Sequence, residues 1–162
     1  MSVINDVVAS YGGPHKVVAR HLAAGEREDR ALVILIAACV MMFVASWPYN
    51  ARVAHLEGKN LSELMAGSLF ALLFIAPLLF YTLSFVVGFV LRLFGWAGSI
   101  YASRMSLFWA LFASTPLILL HGLVKGFLGT GLQEQIVGFI WFVVFMWFWI
   151  SGLFQSARSA AQ

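Results

Sequence analysis

The sequence predicts an all-α integral membrane protein: a bundle of four transmembrane helices preceded by a short amphipathic helix. Three observations carry this. Residues 65–91 hold no charged side chain, and a helix of that length rises about 40 Å, against a hydrocarbon core of about 30 Å. The chain is 62% hydrophobic and 10% charged, whereas soluble domains carry roughly a quarter charged residues. Three further apolar runs lie at residues 31–49, 105–124 and 136–154. A length of 162 residues suits one compact membrane domain.

Residues 1–30 form a polar, basic lead-in. The first apolar run starts at Ala31, late for a signal peptide, and no small-residue cleavage site follows it. The segment is therefore expected to stay on the protein. Within it, Pro14 to Ala24 reads as a short helix with proline in its first turn. Val17, Val18, His21 and Leu22 cluster on one side, and Lys16, Arg20 and Arg27 on another. Such a helix either lies on an anionic leaflet or packs on its own bundle. The mixed-charge stretch Gly25 to Arg30 reads as a solvated helix start.

The first span runs from Ala31 to about Tyr49, with Trp47 and Tyr49 suited to an interface. Residues 50–64 read as a polar connector, and Asn60, Ser62 and Glu63 as a helix start. The second span is 65–91, and Pro77 near its middle predicts a kink or tilt. Arg92 to Arg104 is a connector holding Gly95 and Gly98. The third span, Met105 to Val124, is interrupted at Ser114-Thr115-Pro116. A glycine-rich turn covers Lys125 to Gln135, and the aromatic fourth span runs from Ile136 to Phe154. Residues 31–154 are thus the membrane domain and 155–162 a short tail.

Basic residues near the span ends set the orientation. Lys16, Arg20, Arg27, Arg30, Arg92, Arg104 and Arg158 fall on one side, and Arg52, Lys59 and Lys125 on the other. The richer side is expected to be cytoplasmic, which places both termini there. A fifth span would move the C-terminus across. The same distribution argues against nucleic acid as a partner: the positive charges edge apolar runs and form no patch.

Catalytic chemistry finds little support. No Asp or Glu lies in the four predicted spans. The histidines at 15, 21, 55 and 121 show no metal-ligand spacing. Cys39 is the one cysteine and excludes an intrachain disulfide. Gly126 to Gly131 lacks the Lys-Ser/Thr ending of a phosphate loop. No catalytic, metal or cofactor-binding residue is expected. His121, the strongly polar group inside a span, reads as a helix-to-helix hydrogen bond or as a proton or ligand handler. Gly122 and Gly126, four apart, could let helices approach closely. Pro77, Gly95, Gly98, Pro116 and His121 are the candidate residues.

The stretch from Leu91 through Gly95, Trp96, Gly98 and Tyr101, followed via Arg104 and Ala113 by Ser114-Thr115-Pro116-Leu117, resembles the Yip family of small multi-spanning membrane proteins, especially its short bacterial members. The resemblance covers residues 65–125. It implies an all-helical membrane domain of about five spans with a cytoplasmic N-terminus, in a bacterial inner membrane. Eukaryotic relatives in that family bind small GTPases, but the family's Asp-Leu-Tyr-Gly-Pro motif is lacking; Tyr11-Gly-Gly-Pro14 is its nearest counterpart. Three functions are expected in turn: a non-enzymatic accessory, assembly or scaffolding subunit of a larger membrane complex; a small oligomeric transporter or channel; or a membrane-organising protein. The partners are the bilayer and either other membrane proteins or further copies of the chain.

Overall fold

A computed structural model describes residues 3–160, with side chains up to Arg158. The described residues are helical, with no strand among them. Helices α1 (Val3–Gly12) and α2 (Pro14–Ala23) form an N-terminal hairpin. Next come α3 (Glu28–Glu57), α4 (Leu61–Phe70) and α5 (Ala76–Leu93), the last two joined by a π-helical segment, Ala71–Ile75. The chain ends with α6 (Ile100–Ala113), α7 (Thr115–Phe127) and α8 (Leu132–Ala160). Three helices are long and apolar enough to cross a membrane: α3, the joined Leu61–Leu93 and α8. The pair α6–α7, bent by 46°, makes a fourth if it counts as one span. Among the described residues there is no candidate for a fifth.

The runs alternate in direction. At the proximal end α3 and α6 begin while α5 and α8 finish: Arg104 meets Glu28 at 2.8 Å, and Trp96 Nε1 donates to the Leu153 carbonyl at 3.1 Å. At the distal end α3 and α7 finish: Arg52 Nη1 donates to the carbonyls of Gly126 and Phe127 at 3.2 and 3.1 Å. That guanidinium satisfies carbonyls that the last turn of α7 leaves open.

The connectors are shorter than the sequence reading expects. Residues 50–64 are mostly helix, and the turn is confined to Gly58–Asn60. Gly58 ends α3 in the left-handed region at φ 63°, a conformation cheap only for glycine. Asn60 then caps α4 by accepting from the Ser62 amide at 3.0 Å. Apolar periodicity stops at the bilayer edge, but the backbone hydrogen bonding of a helix does not.

Pro77 lies just past a local change in the helical ladder. Leu61–Leu93 continues past it as one apolar run. The ladder widens into the π segment just before it, where the Ala76 amide reaches back five residues to the Ala71 carbonyl. A wide turn of this kind accommodates the missing proline N–H. The sharp bend falls at Ser114 instead.

The core is built around α6. Met105, Leu107, Phe108 and Trp109 are all 1% exposed or less, because α6 is surrounded by other helices. Small residues bring its neighbours close. Ser103 Oγ donates to the Ser84 carbonyl of α5 at 3.0 Å, beside Gly88. On α8, a Cβ added at Gly152 would sit 2.9 Å from that of Ser106. On α7, a Cβ at Gly122 would run into the Ala45 carbonyl of α3, and one at Gly126 into Pro48. The Gly122/Gly126 pair is therefore a true helix-contact face.

The N-terminal segment packs on its own bundle. Pro14, Val17 and Val18 of α2 are buried, and the hairpin rests on α6 and α8. The additional helix α1 was absent from the sequence reading, which found only the Pro14–Ala24 element.

Candidate functional site

The break between α6 and α7 brings polar side chains from three parts of the chain together. Pro116 has no N–H, so the Phe112 carbonyl loses its helical donor. Thr115 Oγ1 supplies a replacement at 2.8 Å. Ser114 Oγ donates to the Leu111 carbonyl at 3.0 Å and accepts from Trp141 Nε1 of α8 at 3.2 Å. The Leu117 amide turns to the Ser114 carbonyl at 3.1 Å, a tight turn that leaves the Ala113 carbonyl without its usual partner. Tyr11 of the hairpin fills that vacancy, donating its hydroxyl at 3.2 Å. Non-helical backbone at membrane depth needs such substitutes.

The hairpin is tied to the same helix one turn away. Trp109 Nε1 donates to Ser10 Oγ at 3.0 Å, and Ser10 is fully buried. The His21 ring tilts onto Trp109 with centroids 4.5 Å apart. Tyr11 also packs edge-on against Phe148 of α8, at 5.1 Å. Burial lowers the His21 pKa, Asp6 opposes that shift, and Arg30 and Arg20 add to it.

His121 lies on α7 near the distal end. Its Nε2 is 3.1 Å from Glu134 Oε1 in the first turn of α8. Both side chains are mostly buried, at 25% and 18% exposure. Gly138 leaves room for the ring: a Cβ there would stand 3.2 Å from Nε2. The carboxylate escaped the sequence reading because Glu134 falls in what reads as the glycine-rich turn. The helix starts at Leu132, and an acidic residue in a first turn suits the helix dipole.

Gly95 and Gly98 lie at the opposite end from His121 and serve the backbone. Gly95 adopts φ 83° and closes α5 with a Schellman turn: its amide bonds the Arg92 carbonyl, and the Trp96 amide the Leu91 carbonyl. Gly98 leaves space for the Trp96 ring. Of the five candidates, none joins another in a common site. Pro116 shapes the α6–α7 break, His121 pairs near the distal end, Pro77 stands in the first turn of α5 just past the π segment, and the two glycines make the proximal turn. Tyr11, Ser10, Trp109 and Glu134 are the site residues that sequence reasoning missed. No group of three or more His, Cys, Asp or Glu able to hold a metal occurs among the described residues.

Fold and site define a membrane-embedded helical bundle in which the N-terminal hairpin clasps the bend between α6 and α7. No family model, curated protein or solved structure matches the chain, so nothing in those comparisons identifies a Yip-family member.

Proposed function

We propose that the chain is a non-enzymatic accessory or assembly subunit that packs against other membrane proteins in a bacterial inner membrane, with both termini cytoplasmic. One observation carries the reading. Only 6% of the apolar window in Leu61–Leu93 is buried, and its outer face carries two stacked pairs of rings, Phe70 with Phe74 and Phe85 with Phe89. The helix touches its own bundle through a narrow seam that includes Ser84 and Gly88. The remainder forms a long aromatic ridge of the kind that fits grooves between neighbouring helices. The orientation rests on the basic residues that border the spans.

A photo-crosslinking residue at Phe74 or Phe85 tests this in native membranes. Discrete protein adducts of fixed mass are expected at both positions, with none from a crosslinker at the buried Phe108. Lipid adducts alone at both ridge positions would remove the proposal.

A second reading, a small oligomeric transporter, draws on the broken α6–α7 span and the His121–Glu134 pair. Broken spans and intramembrane ionisable groups are common at transport sites. Reconstituted vesicles should then show a solute flux that falls in His121→Ala and Pro116→Ala. Absence of flux across a solute panel removes that class.

A further inference from the structure

Helix α1 is folded inside out for a helix in water. Its polar side chains turn inward. Ser10 is fully buried, where it accepts from Trp109 Nε1, and Asp6 pairs with Arg20 of α2 at only 17% exposure. Its apolar side chains turn outward: Ile4 is 74% exposed and Val8 67%. The two stand four residues apart on one side of the helix, and the outer edge of Tyr11 continues the stripe. Asn5, also exposed, sits in the first turn. A helix on a soluble protein shows water its polar face and buries its apolar one.

The bundle fixes how deep this face lies. The Arg104–Glu28 ion pair stands just before the apolar run that starts at Ala31, at the proximal edge of the membrane. Trp109 and Ala113 lie five and nine residues further along α6, about 7 and about 13 Å down its axis. Ser10 bonds the first and Tyr11 the second. On α8, Tyr11 packs against Phe148, well inside the apolar run that ends at Phe154. Both ends of the hairpin stay at the edge. Val3 borders a cleft with Arg30, and Glu26, just past α2, accepts from the Ser99 hydroxyl at 2.8 Å.

The turn at the tip suits an apolar layer. The Gly13 amide bonds the Ala9 carbonyl at 3.0 Å, and the Lys16 amide bonds the Gly13 carbonyl at 3.1 Å, so the backbone keeps its partners there. Lys16 and Arg20 have stems long enough to raise their charges toward the headgroups. The outward face of α1 also adjoins that of α3: Val3 and Val33 border the same cleft, and Leu32 and Val33 are exposed. The medium that covers the start of α3 therefore covers α1. A stable protein partner needs a far broader surface than this narrow stripe, whereas acyl chains need only apolar exposure at the right depth.

We infer that the N-terminal hairpin is embedded in the proximal leaflet, with Ile4, Val8 and the edge of Tyr11 against acyl chains. It descends and returns on the same side, at the depth of an interfacial amphipathic helix. The hairpin is thus a membrane-anchoring element and not a solvated leader. Neither the aromatic ridge nor the His121–Glu134 pair enters this inference.

The test places the full chain in vesicles of phosphatidylcholine and phosphatidylglycerol, with one spin label on Ile4→Cys, Val8→Cys, Leu79→Cys or Lys59→Cys. The unsubstituted chain, whose Cys39 is fully buried, gives the background. Relaxation by oxygen, which concentrates in lipid, is compared with relaxation by a nickel chelate, which stays in water. Val8→Cys should favour oxygen as Leu79→Cys does on its exposed mid-span face, and Lys59→Cys at the distal turn should favour nickel. Val8→Cys should read deeper than Ile4→Cys by up to about 6 Å, the rise of four helical residues. Nickel access at Val8→Cys equal to that at Lys59→Cys would place the hairpin in water and overturn the inference. A Val8→Cys label shielded from both reagents would put a second copy or another protein on this face and overturn it too. A label that reads deeper at Ile4→Cys than at Val8→Cys would overturn the descent of α1. Both side chains are exposed, so should one variant fail to fold, the other still reads against the two references.

Discussion

The hydroxyl of Tyr11 donates to the carbonyl of Ala113 at 3.2 Å, joining residues 102 positions apart at the bend between α6 and α7. The acceptor is open because Pro116 distorts the ladder there, and Ala113 is itself fully buried. Tyr11→Phe keeps the ring contact with Phe148 and removes only the donor. It should cost about 1 kcal/mol, the usual price of one such bond. Hydrogen exchange should show faster opening of residues 3–24 with α8 unchanged. Identical protection of the hairpin in both proteins would show that the bond does not clasp it.

The α3–α7 contact should tolerate no added atom. Gly122→Ala and Gly126→Ala would drive a methyl group into Ala45 and Pro48 of α3, where backbone cannot yield. Each should destabilise by about 1–3 kcal/mol or more, as overpacking does. Gly67→Ala, at a helical position with nothing within 4 Å, should be neutral or slightly stabilising. Unfolding in mixed micelles of increasing denaturing detergent separates the two outcomes. Equal midpoints for all three variants would mean that the helices are not in close contact.

Hairpin docking should weaken in mild acid. Burial holds His21 below its ordinary pKa in the docked state, Asp6 of α1 works against this, and Arg30 of α3 and Arg20 of α2 work with it. The released hairpin titrates near the usual histidine value of about 6.5. Above that pH the ring is neutral in both states and docking is complete. As the pH falls through it, the released form takes up a proton that the docked form resists, and docking loses stability. Spin labels at Val8 and Val33, both 67% exposed, should report a distance distribution that broadens at pH 5.5. His21→Leu should hold the same distribution at both pH values, and broadening that persists in that variant would assign the effect to another group.

What the sequence made legible follows from the range over which each signal acts. Charge-free runs are local, and α3, Leu61–Leu93 and α8 all lie where those runs do. Caps are local too, so Asn60 was readable as a helix start. The contacts that build the site are not local. Tyr11 meets Ala113, Trp109 meets Ser10, and Trp141 meets Ser114 only after the chain has folded. Pro116 was visible as an interruption, whereas Thr115 and Ser114 as its hydrogen-bond substitutes were not. Pro77, identical in chemistry, follows a π turn inside one continuous helical run, and no single-residue rule separates the two prolines.

The His121–Glu134 contact should behave as a coupled pair between α7 and α8. At 3.1 Å and largely buried, it offers one hydrogen bond whose loss on either side leaves a polar group without its partner. His121→Ala and Glu134→Ala should each destabilise by about 1–2 kcal/mol, and the double variant by less than the sum. A coupling energy of about 1 kcal/mol is expected from the cycle, read from unfolding midpoints in the same micelles. Additivity within about 0.3 kcal/mol would show that the two side chains act independently. The same variants bear on the transport reading. A pair that proves purely structural should lower stability with no change in solute flux, whereas a proton-handling pair should alter flux even where stability is restored by other substitutions.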